Sequence, residues 1–249
     1  MRSMLLYPIG TTAACHYAAA FLKNQGATLV DHPTPEVTHL LLDIPSFASG
    51  GSLRGGGDLD AILRTLPPDT TIIGGNLGGN YKNSIDLLTD EGYLASNAAI
   101  TADCALRVAG QHLPTTLSDA RVLILGWGRI GKCLSLLLQR IGTDVTIAAR
   151  SWKDCAMAGA LGFRTNDFST LRKGLSGYTL VFNTVPELVL RKEDTAPCKR
   201  CIFIDLASKP GIEGDTVLIA RGLPGVYAPE SSGKLIADTI LRLSGEVCI

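Results

Sequence analysis

The chain has 249 residues, 46% of them hydrophobic and 18% charged, with 23 acidic residues balancing 23 Lys and Arg. That length and apolar content admit one large or two modest domains around a sizeable core. The neutral charge balance speaks against electrostatic binding of nucleic acid, and no apolar run reaches the ~18 residues needed to span a bilayer.

Met4 to Tyr7 reads as a strand, and Gly and Thr follow it too soon for a signal peptide. The chain therefore reads as cytoplasmic. Thr11 to Asn24 reads as a helix stopped by Gly26, and Ala27 to Val30 and Thr38 to Asp43 as strands. Phe47 to Gly57, with Gly50-Gly51 and Gly55-Gly56-Gly57, reads as a mobile loop. Leu59 to Leu66 reads as a helix, Pro67-Pro68-Asp69 as a turn and Thr70 to Ile73 as a strand. Thr101 to His112 has helical character and connects two α/β halves.

The most informative stretch is Gly126-Trp127-Gly128-Arg129-Ile130-Gly131. It follows the apolar run Arg121 to Leu125 and precedes a helix with Leu134, Leu137, Leu138 and Ile141 at helical spacing. Gly142 caps that helix, and Asp144 to Ala149 forms a second strand. The result is a βαβ unit of about 30 residues. Gly126 permits a tight turn, Gly128 lets a pyrophosphate approach the backbone, and Gly131 lets helix and strand pack closely. The helix start, at Arg129 and Ile130, offers unpaired N–H groups and a partial positive charge to phosphates. The plainer alternative is a βαβ unit that keeps its glycines and binds nothing. At the tip of the second strand an NAD-specific unit places a carboxylate. Here Arg150-Ser151 stands, with Lys153 close by. Arg150 and Ser151 suit a 2′-phosphate, which favours NADP, while NAD is also admitted.

Further strands are expected at Leu180 to Thr184, Ile202 to Leu206 and Val226-Tyr227, and a closing amphipathic helix at Gly233 to Leu243. Polar clusters follow these strands: Asn183-Thr184-Val185-Pro186, and Asp205 to Gly211, which includes Lys209. Ligands of open α/β sheets bind beyond the carboxyl ends of the strands. Asn183, Thr184, Pro186 and Asp205 are thus cofactor-binding candidates, with backbone capping as the plainer role of Asn183 and Asp205. Lys209 is the first catalytic candidate, as carboxylate anchor or proton-transfer group, with a solvated loop cation as its alternative. Thr101 and Asn97 are the others. Seven Cys, an odd number, argue against a disulfide framework. Cys198-Lys199-Arg200-Cys201 lacks a second ligand pair, and His16, His32, His39 and His112 show no ligand spacing, so no metal site is expected.

The expected fold class is α/β: a smaller α/β N-terminal domain over 1–95, on the substrate side, and a Rossmann-type dinucleotide-binding domain over 96–249 that includes the connecting and C-terminal helices.

Six stretches then stand in order: Asn97-Ala98-x-x-Thr101-Ala102, the glycine loop, Ala149-Arg150-Ser151, Asn183-Thr184-x-Pro186, Asp205 to Gly211, and Gly222-Leu223-Pro224-Gly225-x-x-Ala228-Pro229. In them the chain resembles the dipicolinate synthase A-subunit family, from about Asn97 to the C-terminus. It departs from the family in a shorter N-terminal half, in Ile9-Gly10-Thr11-Thr12 where Gly-Gly-Asp-x-Arg is usual, and in Asp103 where Glu is usual. The resemblance implies an NAD(P)-dependent dehydrogenase of sporulating bacteria. With the flavoprotein-like B-subunit of dipicolinate synthase it would turn dihydrodipicolinate, or its hydrated tetrahydro precursor, into dipicolinate. A homo-oligomer is compatible with this reading. Two other readings are an NADP-dependent reductase of another small keto or imino acid, and a non-catalytic NADP-binding regulatory or scaffold subunit.

Overall fold

The structure is a computed structural model that describes residues 4–245. Met1 to Ser3, the first residues of the stretch weighed as a signal peptide, and Cys248 lie outside the described residues. Two compact units emerge. The first comprises residues up to Asn97 together with those from Pro224 onward, and the second runs from Ala98 to Leu223.

In the first unit β1 (Leu5–Pro8) leads through α1 (Ala13–Asn24) to β2 (Thr28–Leu29). Then come β3 (His39–Leu41), α2 (Leu59–Leu63), β4 (Thr71–Gly74) and β5 (Ser84–Asp86). The strands form a parallel sheet in the order β2-β1-β3-β4-β5. Alternation along the strands feeds both faces. Leu6, Leu41 and Ile73 point into one cluster with Ala18 and Leu22 of α1. Leu40, Leu42 and Ile72 point into the other with Leu59 and Leu66. The Gly-rich loop is more ordered than its composition suggests. Phe47 and Leu53 form an antiparallel bridge, Arg54 N–H donates to the Ser46 carbonyl, and Leu53 is buried.

A long helix, α3 (Glu91–His112), leads out of this unit and into the second. The second unit contains β6 (Arg121–Leu125), α4 (Arg129–Arg140), β7 (Asp144–Ala149), α5 (Trp152–Ala160), β8 (Arg164–Asp167) and α6 (Phe168–Leu171). They are followed by β9 (Leu180–Asn183), α7 (Lys192–Thr195), β10 (Ile202–Asp205) and β11 (Val217–Ile219). All strands are parallel, in the order β11-β10-β9-β6-β7-β8. Counted within the unit and read from the other edge, this is 3-2-1-4-5-6, the Rossmann order. β6, β9 and β10 are buried on both faces, as their unbroken apolar runs require.

Two helices follow, the short α8 (Leu223–Tyr227) and the longer α9 (Pro229–Leu243). Both differ from the sequence expectation. Val226-Tyr227, expected as a strand, is the end of a helical turn with Val226 exposed, and Pro224 suits a helix start better than a sheet. The C-terminal helix, expected with the dinucleotide-binding unit, packs on α1 of the first unit instead. Ile236 and Ile240 of α9 enter the cluster built on Leu22 and Leu41. Gly233 makes this crossing close, since a Cβ there would lie 2.4 Å from Tyr17 Cβ and 2.7 Å from the Ala14 carbonyl oxygen. Amphipathic periodicity reveals that α9 has an apolar face but not which sheet receives it.

Candidate functional site

The glycine loop of the second unit starts where β6 ends. Gly126 adopts φ +101°, a left-handed conformation that favours glycine, and its N–H donates to the Ala148 carbonyl of β7 at 2.8 Å. Gly131, in the first turn of α4, has no room for a side chain: a Cβ there would lie 2.4 Å from the Gly126 carbonyl oxygen. Gly128 differs from both. Its backbone is ordinary extended chain at the N-cap of α4, no side chain caps that helix, and a Cβ there would meet nothing within 4 Å. Arg129 is exposed beside it and Ile130 is half-buried. The close approach therefore comes from Gly126 and Gly131, while Gly128 leaves the helix start accessible to an anion.

The loop after β9 supports this arrangement from the next strand. Thr184 Oγ1 donates to the Leu125 carbonyl at 2.8 Å and faces Gly126. Val185 lines the cleft and Pro186 is exposed. Asn183 and Asp205, expected to bind the cofactor, are fully buried and engaged elsewhere. Asn183 Nδ2 donates to Asp205 Oδ1 (2.9 Å) and to the Val185 carbonyl (3.0 Å), and Asn183 Oδ1 accepts from Val185 N–H (3.0 Å). Asp205 also accepts from the N–H groups of Ala207 (3.1 Å) and Gly211 (2.7 Å). Their role is to hold the loops after β9 and β10. The expectation has these side chains facing the cofactor, whereas here they bond within the protein, as buried polar groups take the nearest backbone partners.

Beyond β6, the end of β7 forms the other wall. A cleft of about 510 Å³ is lined by Gly126, Trp127, Arg150, Ser151, Asp154 and Val185, among others. It lies at the topological switch point, since the chain passes from β6 to β7 on one side and β9 on the other. Ser151 is the N-cap of α5 but makes no capping hydrogen bond. Arg150 is ion-paired with Glu187 of the β9 loop. Sequence reasoning missed both Glu187 and the cleft-lining Asp154. Glu187 is 37 residues from Arg150, so no local pattern joins them.

The catalytic candidates are more scattered. Lys209 is exposed on the loop after β10. Asn97 and Thr101 stand one turn apart in the interior of α3, not at its start, because the helix begins at Glu91. Thr101 is buried and Asn97 half-buried. Cys198 and Cys201 are buried thiols, and burial pushes Cys201 up to about 12, away from reactivity. Among the described residues no group of His, Cys, Asp or Glu is placed to hold a metal ion, and no helix is long and apolar enough to cross a membrane.

The first unit has a switch point too, between β1 and β3. Asp43 fills it. One carboxylate oxygen accepts from the Thr12 amide (2.9 Å) and hydroxyl (2.6 Å). The other accepts from the Thr11 amide (2.9 Å) and hydroxyl (3.1 Å). Burial acts to raise the Asp43 carboxyl, but the hydrogen bonds from Thr12 and Thr11 outweigh it and hold it below its ordinary value.

No family model matches the chain. A curated relative, the dipicolinate synthase A-subunit of Bacillus subtilis strain 168, is 27% identical over 160 residues. Solved structures of this kind of subunit match in fold, that from Bacillus subtilis with a TM-score of 0.82 and that from Bacillus halodurans with 0.83. The chain is thus similar to dipicolinate synthase A-subunits, in sequence over part of its length and in fold over nearly all of it. The sequence match covers 61% of this chain and 54% of the curated relative, so the chain aligns with about half of that protein. The structural matches are 21% and 24% identical. They cover 99% and 98% of this chain, and 97% and 98% of the respective A-subunits. The likeness to these A-subunits in fold thus extends over both units. A transhydrogenase from Sinorhizobium meliloti shares the fold more distantly, at TM-score 0.70 and 14% identity, over 98% of this chain and 85% of that one.

Proposed function

We propose that this chain is a nicotinamide-dinucleotide-dependent oxidoreductase subunit that forms dipicolinate from dihydrodipicolinate, or from its hydrated tetrahydro precursor. It would act in the cytoplasm of a sporulating cell and together with a flavoprotein-like B-subunit. The observation that carries the reading is the glycine loop. Gly126 and Gly131 bring strand and helix together, and Gly128, with nothing within 4 Å of where a Cβ would stand, leaves the start of α4 uncapped and accessible. The sequence relation to a dipicolinate synthase A-subunit supports the substrate.

The residues of the cleft fit a dinucleotide. The N–H groups at the start of α4 would hold the pyrophosphate, and Arg150 and Ser151 a 2′-phosphate, which favours NADP. Asp154 keeps NAD admitted, as a cleft-lining carboxylate. When bound, the nicotinamide supplies a hydride acceptor. Lys209 would pair with a substrate carboxylate or take the proton released as the ring becomes aromatic. Asn97 and Thr101 would bond the small dicarboxylate from α3. Positioning of this kind contributes up to ~7–11 kcal/mol in well-oriented reactions.

The test is an absorbance assay with dihydrodipicolinate and NADP, with and without the B-subunit. Formation of NADPH and dipicolinate supports the reading. NADPH consumption with another small keto or imino acid, and no dipicolinate, replaces it by the reductase. NADP binding with no turnover replaces it by a regulatory or scaffold role.

A further inference from the structure

Arg150 and Glu187 sit at the ends of strands that are not neighbours. β6 lies between β7 and β9, so adjacent spacings of about 4.8 Å place the two strand ends ~10 Å apart. The ion pair therefore spans the width of β6 at the end of the sheet that carries the cleft. Arg150 lines that cleft. The backbone around Glu187 is firmly held. Asn183 fixes Val185 through both of its side-chain polar atoms. Gly211 packs so closely that a Cβ there would lie 2.8 Å from the carbonyl oxygens of Val185 and Glu187. The Gly211 carbonyl also accepts from Val189 N–H at 2.8 Å. Glu187 thus presents a carboxylate to Arg150 from a fixed base. Both side chains are exposed, Arg150 by 69% and Glu187 by 62%, so the pair is exchangeable.

We propose that Glu187 is a specificity-determining residue of the dinucleotide cleft, one that holds down its preference for a 2′-phosphorylated ribose. A 2′-phosphate that reaches Arg150 must take the guanidinium from Glu187 and then lie beside the displaced carboxylate. A ribose with a free 2′-hydroxyl meets neither cost. Arg150 and Glu187 together therefore set a balance between the two nucleotides, where Arg150 alone would favour the phosphorylated one. This inference rests on the proposed dinucleotide function of the cleft.

The experiment is direct titration of the full chain, and of Glu187→Gln, Glu187→Asp and Arg150→Ala, with NADPH, NADH and adenosine 2′-phosphate. Breaking an exposed ion pair shifts an equilibrium by about fivefold or less. Glu187→Gln is expected to tighten NADPH and adenosine 2′-phosphate by roughly two- to fivefold and to leave NADH within experimental error. Glu187→Asp should fall nearer the unsubstituted protein. Adding Glu187→Gln to Arg150→Ala should give a smaller gain than Glu187→Gln alone, because the carboxylate then has no cation to compete for and only its repulsion of the phosphate is removed. Equal changes for NADPH and NADH would reduce Glu187 to a loop-folding residue and overturn the inference, and so would no change in either. If the unsubstituted chain binds none of the three ligands, the proposed function falls and the inference with it.

Discussion

The two units carry the same device and use it differently. Each is a parallel sheet in which a central strand runs into a helix at the switch point. At the start of α1 the amides of Thr11 and Thr12 are taken by the Asp43 carboxylate. At the start of α4 the N-cap is Gly128, with no side chain to spend on the helix and open space where one would go. One switch point carries its own anion and is structural. The other leaves its helix start uncapped, and the glycine loop that leads into it lines a cleft of about 510 Å³ through Gly126 and Trp127. A shared topology therefore does not imply two ligand sites, and the difference rests on a few residues.

That contrast is breakable from either side. Asp43→Ala removes the acceptor for two amides and two hydroxyls, and is expected to cost about 2–4 kcal/mol of stability in chemical denaturation. A loss below about 0.5 kcal/mol would mean that water satisfies these groups equally well and that the Asp43 carboxylate does not close the first switch point. In the second unit, Lys209→Met keeps the stem and removes the charge. It should cost ~2–4 kcal/mol in dipicolinate formation, with NADPH affinity within about threefold of the unsubstituted chain. Normal turnover would make Lys209 a solvated loop cation and move attention to Thr101 and Asn97. Arg150→Ala should weaken NADPH by ~1.5–3 kcal/mol and leave NADH nearly unchanged, read by calorimetry. An equal loss for both would remove the 2′-phosphate role.

The smallest effect is an acid one. The Asp43 carboxyl is held below its ordinary value in the fold. Its contribution is therefore fully present above the unfolded value of about 4, and is lost as pH falls through the folded value. The stability gap between the unsubstituted chain and Asp43→Asn should shrink as denaturation is repeated from about pH 6 down to about pH 3. A gap that stays constant would place the Asp43 effect in shape rather than in charge.

Much of the second unit was legible because its signals are local. Strand, glycine loop, helix and second strand follow one another within 121–149, and the helix and strand periods repeat often enough to be read. The first unit's central feature was not legible in this way. Thr11-Thr12 reads as an ordinary helix entry, and its partner Asp43 lies 31 residues or more away. The same holds for Glu187 opposite Arg150. Asn183 and Asp205 end their strands as the apolar runs before them indicate, but their side chains turn to buried backbone groups that no periodicity displays. The closing helix is recognisable from its apolar face, yet that α1 is its partner is seen only in the fold, in the close contact at Gly233 and the shared cluster with Leu22.

The central claim is that the cleft at the glycine loop binds the dinucleotide. Gly128→Val tests it most directly, because the backbone there is ordinary and a Cβ meets nothing, so the fold should accept the substitution. The measurement is NADPH titration by calorimetry beside a thermal melt, for the unsubstituted chain and the variant. The expected result is an unchanged melt and no detectable NADPH binding in Gly128→Val, since the new side chain stands where the pyrophosphate would approach. Near-native affinity with an unchanged melt would contradict the assignment.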